Sequence, residues 1–187
     1  MPNICILGLG NPEKKYDDTK HNIGKDWVLK LVQGIPLDFL AQKKIASVTA
    51  LSEDHKILWA YPQVYVNESG KCVNKILKTS NLKLENILII HDDLDLPIGT
   101  LRLKVDGGHG GHNGLRNIID LAGSNFLRLR IGIGHPGEKI DITNWVLGKF
   151  KPVEKKILLG TYLKFLNIIE LLAENKIKEA QLYLHTN

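Results

Sequence analysis

Only two cysteines, Cys5 and Cys72, occur in the 187 residues, and they form neither a CxxC pair nor a zinc-type spacing. Thiol redox chemistry and a cysteine-based zinc site therefore have no support, and both thiols are expected to be small buried apolar groups in a reducing cytoplasm. The chain begins MPNICILGLGNP without a basic segment, so no N-terminal signal is expected, and its longest apolar runs fall far below membrane-spanning length. There is no GxxxxGK[ST] stretch, which removes a P-loop nucleotide site, and no GxSxG elbow or cysteine motif to supply a covalent nucleophile. One loop, Gly8-Leu9-Gly10-Asn11-Pro12, begins like a dinucleotide fingerprint. It fails as one, because Glu13 stands where the third glycine belongs and Pro12 interrupts the start of the required helix. No internal repeat, low-complexity tract or linker divides the chain.

What is present fits one soluble domain over residues 1–187, with 43% hydrophobic residues and length enough for a substantial core. A net charge of +5 and a pI near 9.1 favour an anionic partner. With 20 acids in the chain that bias permits nucleic acid without requiring it.

Apolar patterning predicts an α/β fold. Strands are expected at Asn3–Leu9, Ile87–His91, Gly99–Val105 and Phe126–Ile133, with a hairpin from Lys44–Leu51 and Lys56–Tyr61. Helical spacing at Ile23, Trp27, Val28, Leu31 and Val32 predicts a helix capped by Thr19 or Asn22, with His21 at or just before its N-terminus. That position tends to keep an imidazole neutral, and a neutral imidazole can act as a base. A second helix is expected with Asn67 in its first turn, a third over Leu115–Leu121, and a long one from Pro152 to about Glu174. Gly134–Asp141 reads as an exposed loop.

The stretch from His91 to Arg116 concentrates the chemistry. Asp92, Asp93 and Asp95 follow a buried strand, where open α/β sheets bind ligands, and Gly107, Gly108, Gly110 and Gly111 surround His109, ahead of His112 and Asn113. A metal site of Asp92, Asp93, Asp95, His109 and His112 is one reading, but a glycine-rich loop lacks the rigidity that fixed ligand geometry needs. The other is a hydrolase without a covalent intermediate, in which a histidine held by an aspartate deprotonates water and amides stabilise the oxyanion. Spacing leaves open which histidine does so. Arg102 and Lys104 share one strand face, as do Arg128 and Arg130; side by side they would form a phosphate-sized electropositive patch.

Five blocks, GLGNPEKKYDDTKHNIG (8–24), VYVNESG (64–70), DDLDLPIGTLRLK (92–104), GGHGGHNGL (107–115) and RLRIGIGHP (128–136), closely resemble bacterial peptidyl-tRNA hydrolase. They occur in family order and cover most of the chain. The resemblance implies a single α/β domain, a twisted, mixed and mostly parallel sheet surrounded by helices, and cofactor-free, metal-independent hydrolysis of the ester joining peptide to tRNA. It implies a cytoplasmic monomer with peptidyl-tRNA as its partner and no membrane association. Matched residue by residue, His21 becomes the general base and Asp92 its orienting carboxylate. Asn11, Asn67 and Asn113 match amides holding the peptide backbone, the water or the oxyanion, while Tyr16 and His112 match residues lining the cleft. Lys104 and Arg130 match a cationic pair on the tRNA 5′-phosphate, and Lys139 a further basic tRNA contact. Glu13, Lys20 and Val66 depart from the glycine, arginine and methionine common there. The competing expectation is a basic RNA-binding module whose histidines and acids are merely structural.

Overall fold

Uninterrupted apolar runs make the inner strands. A computed structural model describes residues 1–33, 40–42, 47–138 and 140–186. Ile4–Gly8 (β1) is buried throughout and Ile87–Asp93 (β5) nearly so, as expected of strands covered on both faces. Leu40–Gln42 (β2), Ser47–Leu51 (β3), Ile57–Pro62 (β4), Leu101–Val105 (β6) and Leu127–Gly132 (β7) complete one sheet in the order β2-β3-β4-β1-β5-β7-β6. The pairs β4–β1, β1–β5 and β5–β7 are parallel; β2–β3, β3–β4 and β6–β7 are antiparallel. The sheet is therefore mixed and mostly parallel, with β2, β4, β1, β5 and β7 running one way and β3 and β6 the other.

Side-chain alternation along β1 divides the core in two. Ile4 and Ile6 join the cluster beneath Ile23–Gln33 (α1), Pro152–Leu166 (α5), Ile169–Ala173 (α6) and Ile177–Thr186 (α7), where Trp27 stacks on Phe165 at 5.7 Å. Cys5 and Leu7 join the opposite cluster, beneath Ser69–Ser80 (α2) and Asn113–Ala122 (α3). The remaining helix, Ile142–Leu147 (α4), packs beside the turn that carries His21. Strand β6 ends the sheet, and α7 covers its outer edge: Gln181 Nε2 donates to Leu103 O at 3.0 Å, and Leu103 N donates to His185 Nε2 at 3.2 Å.

Several elements differ from expectation. Strand β5 runs on through Asp92 and Asp93, so these acids belong to the sheet itself. Asn67 lies in a 3-10 turn, Val66–Glu68, ahead of α2. Neither Thr19 nor Asn22 caps α1: the Thr19 hydroxyl donates to Tyr16 O, and the Asn22 amide is spent on Asn11. The long C-terminal helix breaks at Asn167 and Ile168, which turns the fully buried Ile168 and Leu172 into the core. The predicted hairpin is present as β3 and β4, with Lys44, Ile45 and Ala46 of its first arm outside the described residues.

Two glycines bring α1 onto the ends of β1 and β5. A Cβ at Gly24 would lie 2.2 Å from Ile90 O, and one at Gly8 would lie 2.1 Å from Gly24 O. Backbone meets backbone here, and that contact sets His21 beside the end of β5. Gly24→Ala is therefore expected to destabilise by about 1–3 kcal/mol through overpacking. In the same denaturant titration Gly160→Ala, where an added methyl meets nothing within 4 Å in the middle of α5, should stabilise by about 0.5–1 kcal/mol. Equal midpoints for the two variants would contradict this packing.

Candidate active site

Because β1 pairs with β5 in register Gly8↔Ile90, the loop leaving β1 and the carboxyl end of β5 emerge side by side. His21, in the 3-10 turn Lys20–Asn22, reaches Asp92 with Nδ1 2.9 Å from Oδ1. A carboxylate only accepts, so Nδ1 carries the proton and Nε2 is the basic nitrogen. His112 Nε2 lies 3.1 Å from the same oxygen. Its Nδ1 accepts from Gly114 N at 3.1 Å and Leu115 N at 3.3 Å as the N-cap of α3, which holds this ring in the neutral Nε2–H tautomer. Thus two imidazole N–H groups converge on one oxygen of a buried carboxylate.

Burial pushes the Asp92 carboxyl up, but His21 and His112 beside it outweigh burial and hold it well below the ordinary carboxylate range. For His21, burial lowers the pKa, and the charge and hydrogen bond of Asp92 raise it further than that, leaving it above the usual imidazole value. The expected effect of a helix N-terminus, a depressed pKa, is overridden because a full charge at 2.9 Å exceeds the partial charge of a helix end. His91, also buried, donates Nδ1–H to Asp92 O at 2.7 Å. Burial and the neighbouring His112 push its pKa down to about 4, so it stays neutral.

Asn11 is almost fully buried and held on three sides. Its N donates to Asn22 Oδ1 at 2.8 Å, its O accepts from Asn22 Nδ2 and Lys25 Nζ, and its Oδ1 accepts from Val66 N at 3.0 Å. The side-chain Nδ2 is left as a donor. An open cleft of about 490 Å³ runs between Asn11, Val66, Asn67, Asn113 and His21. Tyr16, expected to line the cleft, is not among its lining residues; it meets the lining Tyr65 edge-on, with centroids 6.5 Å apart. On the other side of His21, a cavity of about 480 Å³ extends past Asp92 and His112 to Lys104 and Arg130, with Ile142 and Val146 of α4 as its wall. His21 and Asn113 belong to both spaces.

The two cationic strand faces are adjacent: Arg102 pairs with Arg130 and Lys104 with Arg128. Their environments differ. Arg130 Nε donates to Asp93 Oδ2 at 2.6 Å, whereas the buried Arg128 donates from Nη1 and Nη2 to the carbonyls of Gly108 and Gly107. Lys104 is exposed and makes no ion pair among the described residues. Lys139 lies outside the described residues.

The acids and histidines grouped in the metal reading go to separate partners. Asp93 accepts from Arg130 and from Asp95 N, and His109 Nδ1 accepts from Gly111 N. His21, Asp92 and His112 do place possible ligand atoms within 4.8 Å of one another. As arranged, both rings direct N–H groups rather than lone pairs at the carboxylate, so this donor set does not fit a cation without a change of tautomer.

The departures from the family pattern are all accommodated. Glu13 accepts from Tyr65 Oη and pairs with Lys15 at 2.7 Å. Lys20 Nζ sits 4.3 Å from the Trp145 ring and donates to Lys149 O, tying the His21 turn to the segment after α4. Val66 is buried beneath the cleft. Arg128, His91, Asn22 and Lys25 carry contacts that sequence reasoning did not assign. The one signal for Lys25 was a charge on the apolar face of α1.

A family model described as peptidyl-tRNA hydrolase matches residues 5–187. The peptidyl-tRNA hydrolase of Rickettsia canadensis is 39% identical over 178 residues, 94% of this chain and 96% of that one. That of Nitrosospira multiformis is 40% identical over 184 residues, 97% of this chain and 96% of the relative. The crystal structure of the Acinetobacter baumannii enzyme superposes with a TM-score of 0.91 at 39% identity, over 98% of this chain and 95% of that one. Full-length similarity in sequence and in structure thus agrees with the site geometry, and the chain belongs to the peptidyl-tRNA hydrolase family.

Proposed function

We propose that this chain hydrolyses the ester between peptide and tRNA with His21 as the general base. The observation that carries the reading is the His21–Asp92 contact, which leaves Nε2 basic at the junction of two clefts. Nε2 takes a proton from water as its oxygen attacks the ester carbonyl. Asp92 orients the ring and stabilises the imidazolium, as in a triad with water in place of serine. Amide N–H groups of Asn11, Asn67 and Asn113 hold the peptide main chain or the oxyanion, and as neutral donors they leave peptide side chains unselected. Collapse of the tetrahedral intermediate breaks the bond to the ribose oxygen, which takes the proton back from His21. Tyr16 supports the peptide cleft through Tyr65, and His112 holds Asp92.

The second space suits the nucleotide end, since it leads from His21 to Lys104 and Arg130, our candidates for a tRNA phosphate; Lys139 is a further proposed contact. Such a substrate implies the cytoplasm, and no described helix is long and apolar enough to cross a membrane. We assign a monomer, because one chain contributes every proposed group.

The test is single-turnover peptide release from N-blocked aminoacyl-tRNA in chelator-treated buffer. Binding of tRNA without release would favour the RNA-binding module instead. Lys104→Ala and Arg130→Ala are each expected to weaken tRNA binding and to reduce the slope of log affinity against log salt by about one. The Lys104 change should act more cleanly, because removing Arg130 also strips Asp93 of its partner. An unchanged salt slope in both variants would remove the phosphate assignment.

A further inference from the structure

We propose that Arg128 is a positioning residue for the reaction, anchoring the glycine-rich loop so that His112 stays against Asp92. The inference rests on the functional reading above, but its physical chain is complete in the structure. Arg128 is the second residue of β7, is 3% exposed, and lies 4.4 Å over the Phe126 ring. Its two terminal nitrogens hold the successive carbonyls of Gly107 and Gly108. A planar fork suits that pair of acceptors, whereas an ammonium, as a point charge, cannot reproduce the two parallel bonds.

The loop has little else to fix it. A Cβ added at Gly108, Gly110 or Gly111 would meet nothing within 4 Å, and Gly107, Gly110 and Gly111 all have positive φ. Short internal bonds, His112 N to His109 O and Gly111 N to His109 Nδ1, shape its far end without tying it to the sheet. Tertiary attachment comes from Asp106 N, which donates to Phe126 O at 3.1 Å, and from Arg128 at one end, and from the His112–Asp92 contact and the α3 N-terminus that His112 caps at the other. Because His112 shares its acceptor oxygen with His21, slack in the loop reaches the base.

This gives Arg128 a role distinct from that of its cationic neighbours. All three line the same cavity, but both Nη groups of Arg128 are committed to backbone, which leaves Lys104 and Arg130 as the candidates for substrate. Burial disfavours the charge of Arg128, Asp106 favours it and Arg130 opposes it, and Lys104 faces it as its register partner on β6. The titratable groups facing the His21–Asp92 pair are His112 and, behind it, His91.

The experiment combines Arg128→Met and Arg128→Lys, with folding checked by thermal melt, and three readings: single-turnover rate, tRNA affinity, and imidazole 15N titration of His21 and His112. In both variants the rate should fall on the order of tenfold from misplacement of the base. Affinity in Arg128→Lys should change by less than about twofold, since the charge is kept. His112 should lose its fixed Nε2–H signature, and His21 should titrate at higher pH, because Asp92 then gives its whole charge to one ring. Full rate in Arg128→Lys, or an unmoved His21 titration, would overturn the proposal. So would affinity lost as in Lys104→Ala with the saturated rate intact, since Arg128 would then be a phosphate ligand. Should Arg128→Met not fold, Arg128→Lys carries all three readings. If the unaltered protein releases no peptide, the functional reading fails while the titrations still judge Arg128.

Discussion

His21→Ala is expected to lower the single-turnover rate of peptide release by on the order of a hundredfold or more, the scale on which a positioned base acts. Affinity for tRNA should change little, because the ring sits between the two spaces and offers the phosphates no charge of its own when neutral. Folding should survive. Removing an imidazole from beside a buried carboxylate commonly leaves an orphaned charge, but here His112 Nε2 still donates to Asp92 Oδ1. Loss of rate in a folded, tRNA-binding variant is therefore a loss of chemistry. A His21→Ala protein that kept near-native turnover would show that another group activates the water, and neither neighbouring ring, His112 or His91, suits that task. His112 has its Nδ1 occupied by two backbone N–H groups, and His91 is enclosed within the fold.

The inner sheet was legible because Ile87–Ile90 and Ile4–Leu7 are apolar on both faces, and a parallel sheet covered by helices is the stable way to bury such runs. Glycines marked the loops for an equally local reason. The pairing of His21 with Asp92 was not readable from spacing: 71 positions separate them, and their meeting depends on β1 and β5 being neighbours and on Gly24 closing onto Ile90. Family resemblance supplied the pair, and packing explains it. Arg128 and Arg130 show the opposite limit. They alternate identically on β7, yet one is bound to loop carbonyls and the other to Asp93, a difference created by what lies over the strand. Asn22 is a residue type suited to a helix cap and instead clasps Asn11, and the break at Asn167 falls inside the single helix expected from Pro152 to about Glu174. In each case local pattern was correct about the residue type and silent about its tertiary partner.

Asp92→Asn should separate orientation from charge. Both ring N–H groups point at Oδ1, so an asparagine can present its carbonyl oxygen there and keep both tautomers, with the new NH2 replacing Oδ2. What disappears is the negative charge that stabilises protonated His21. The rate at high pH is therefore expected to fall on the order of a hundredfold, with tRNA affinity nearly unchanged. The pH dependence gives the sharper test. In the unaltered protein His21 must lose its proton to act, and its pKa lies above the ordinary value because Asp92 outweighs burial. The rate should accordingly rise with pH through a midpoint above about 6.5. Without the carboxylate, burial is left unopposed and disfavours the charged ring, so the midpoint should move below that value. A lower plateau reached at lower pH would be the signature of a base that has lost its counter-charge while keeping its position. A midpoint that stayed in place, or moved upward, would mean that Asp92 does not set the charge of His21, and the pair would have to be read as structural.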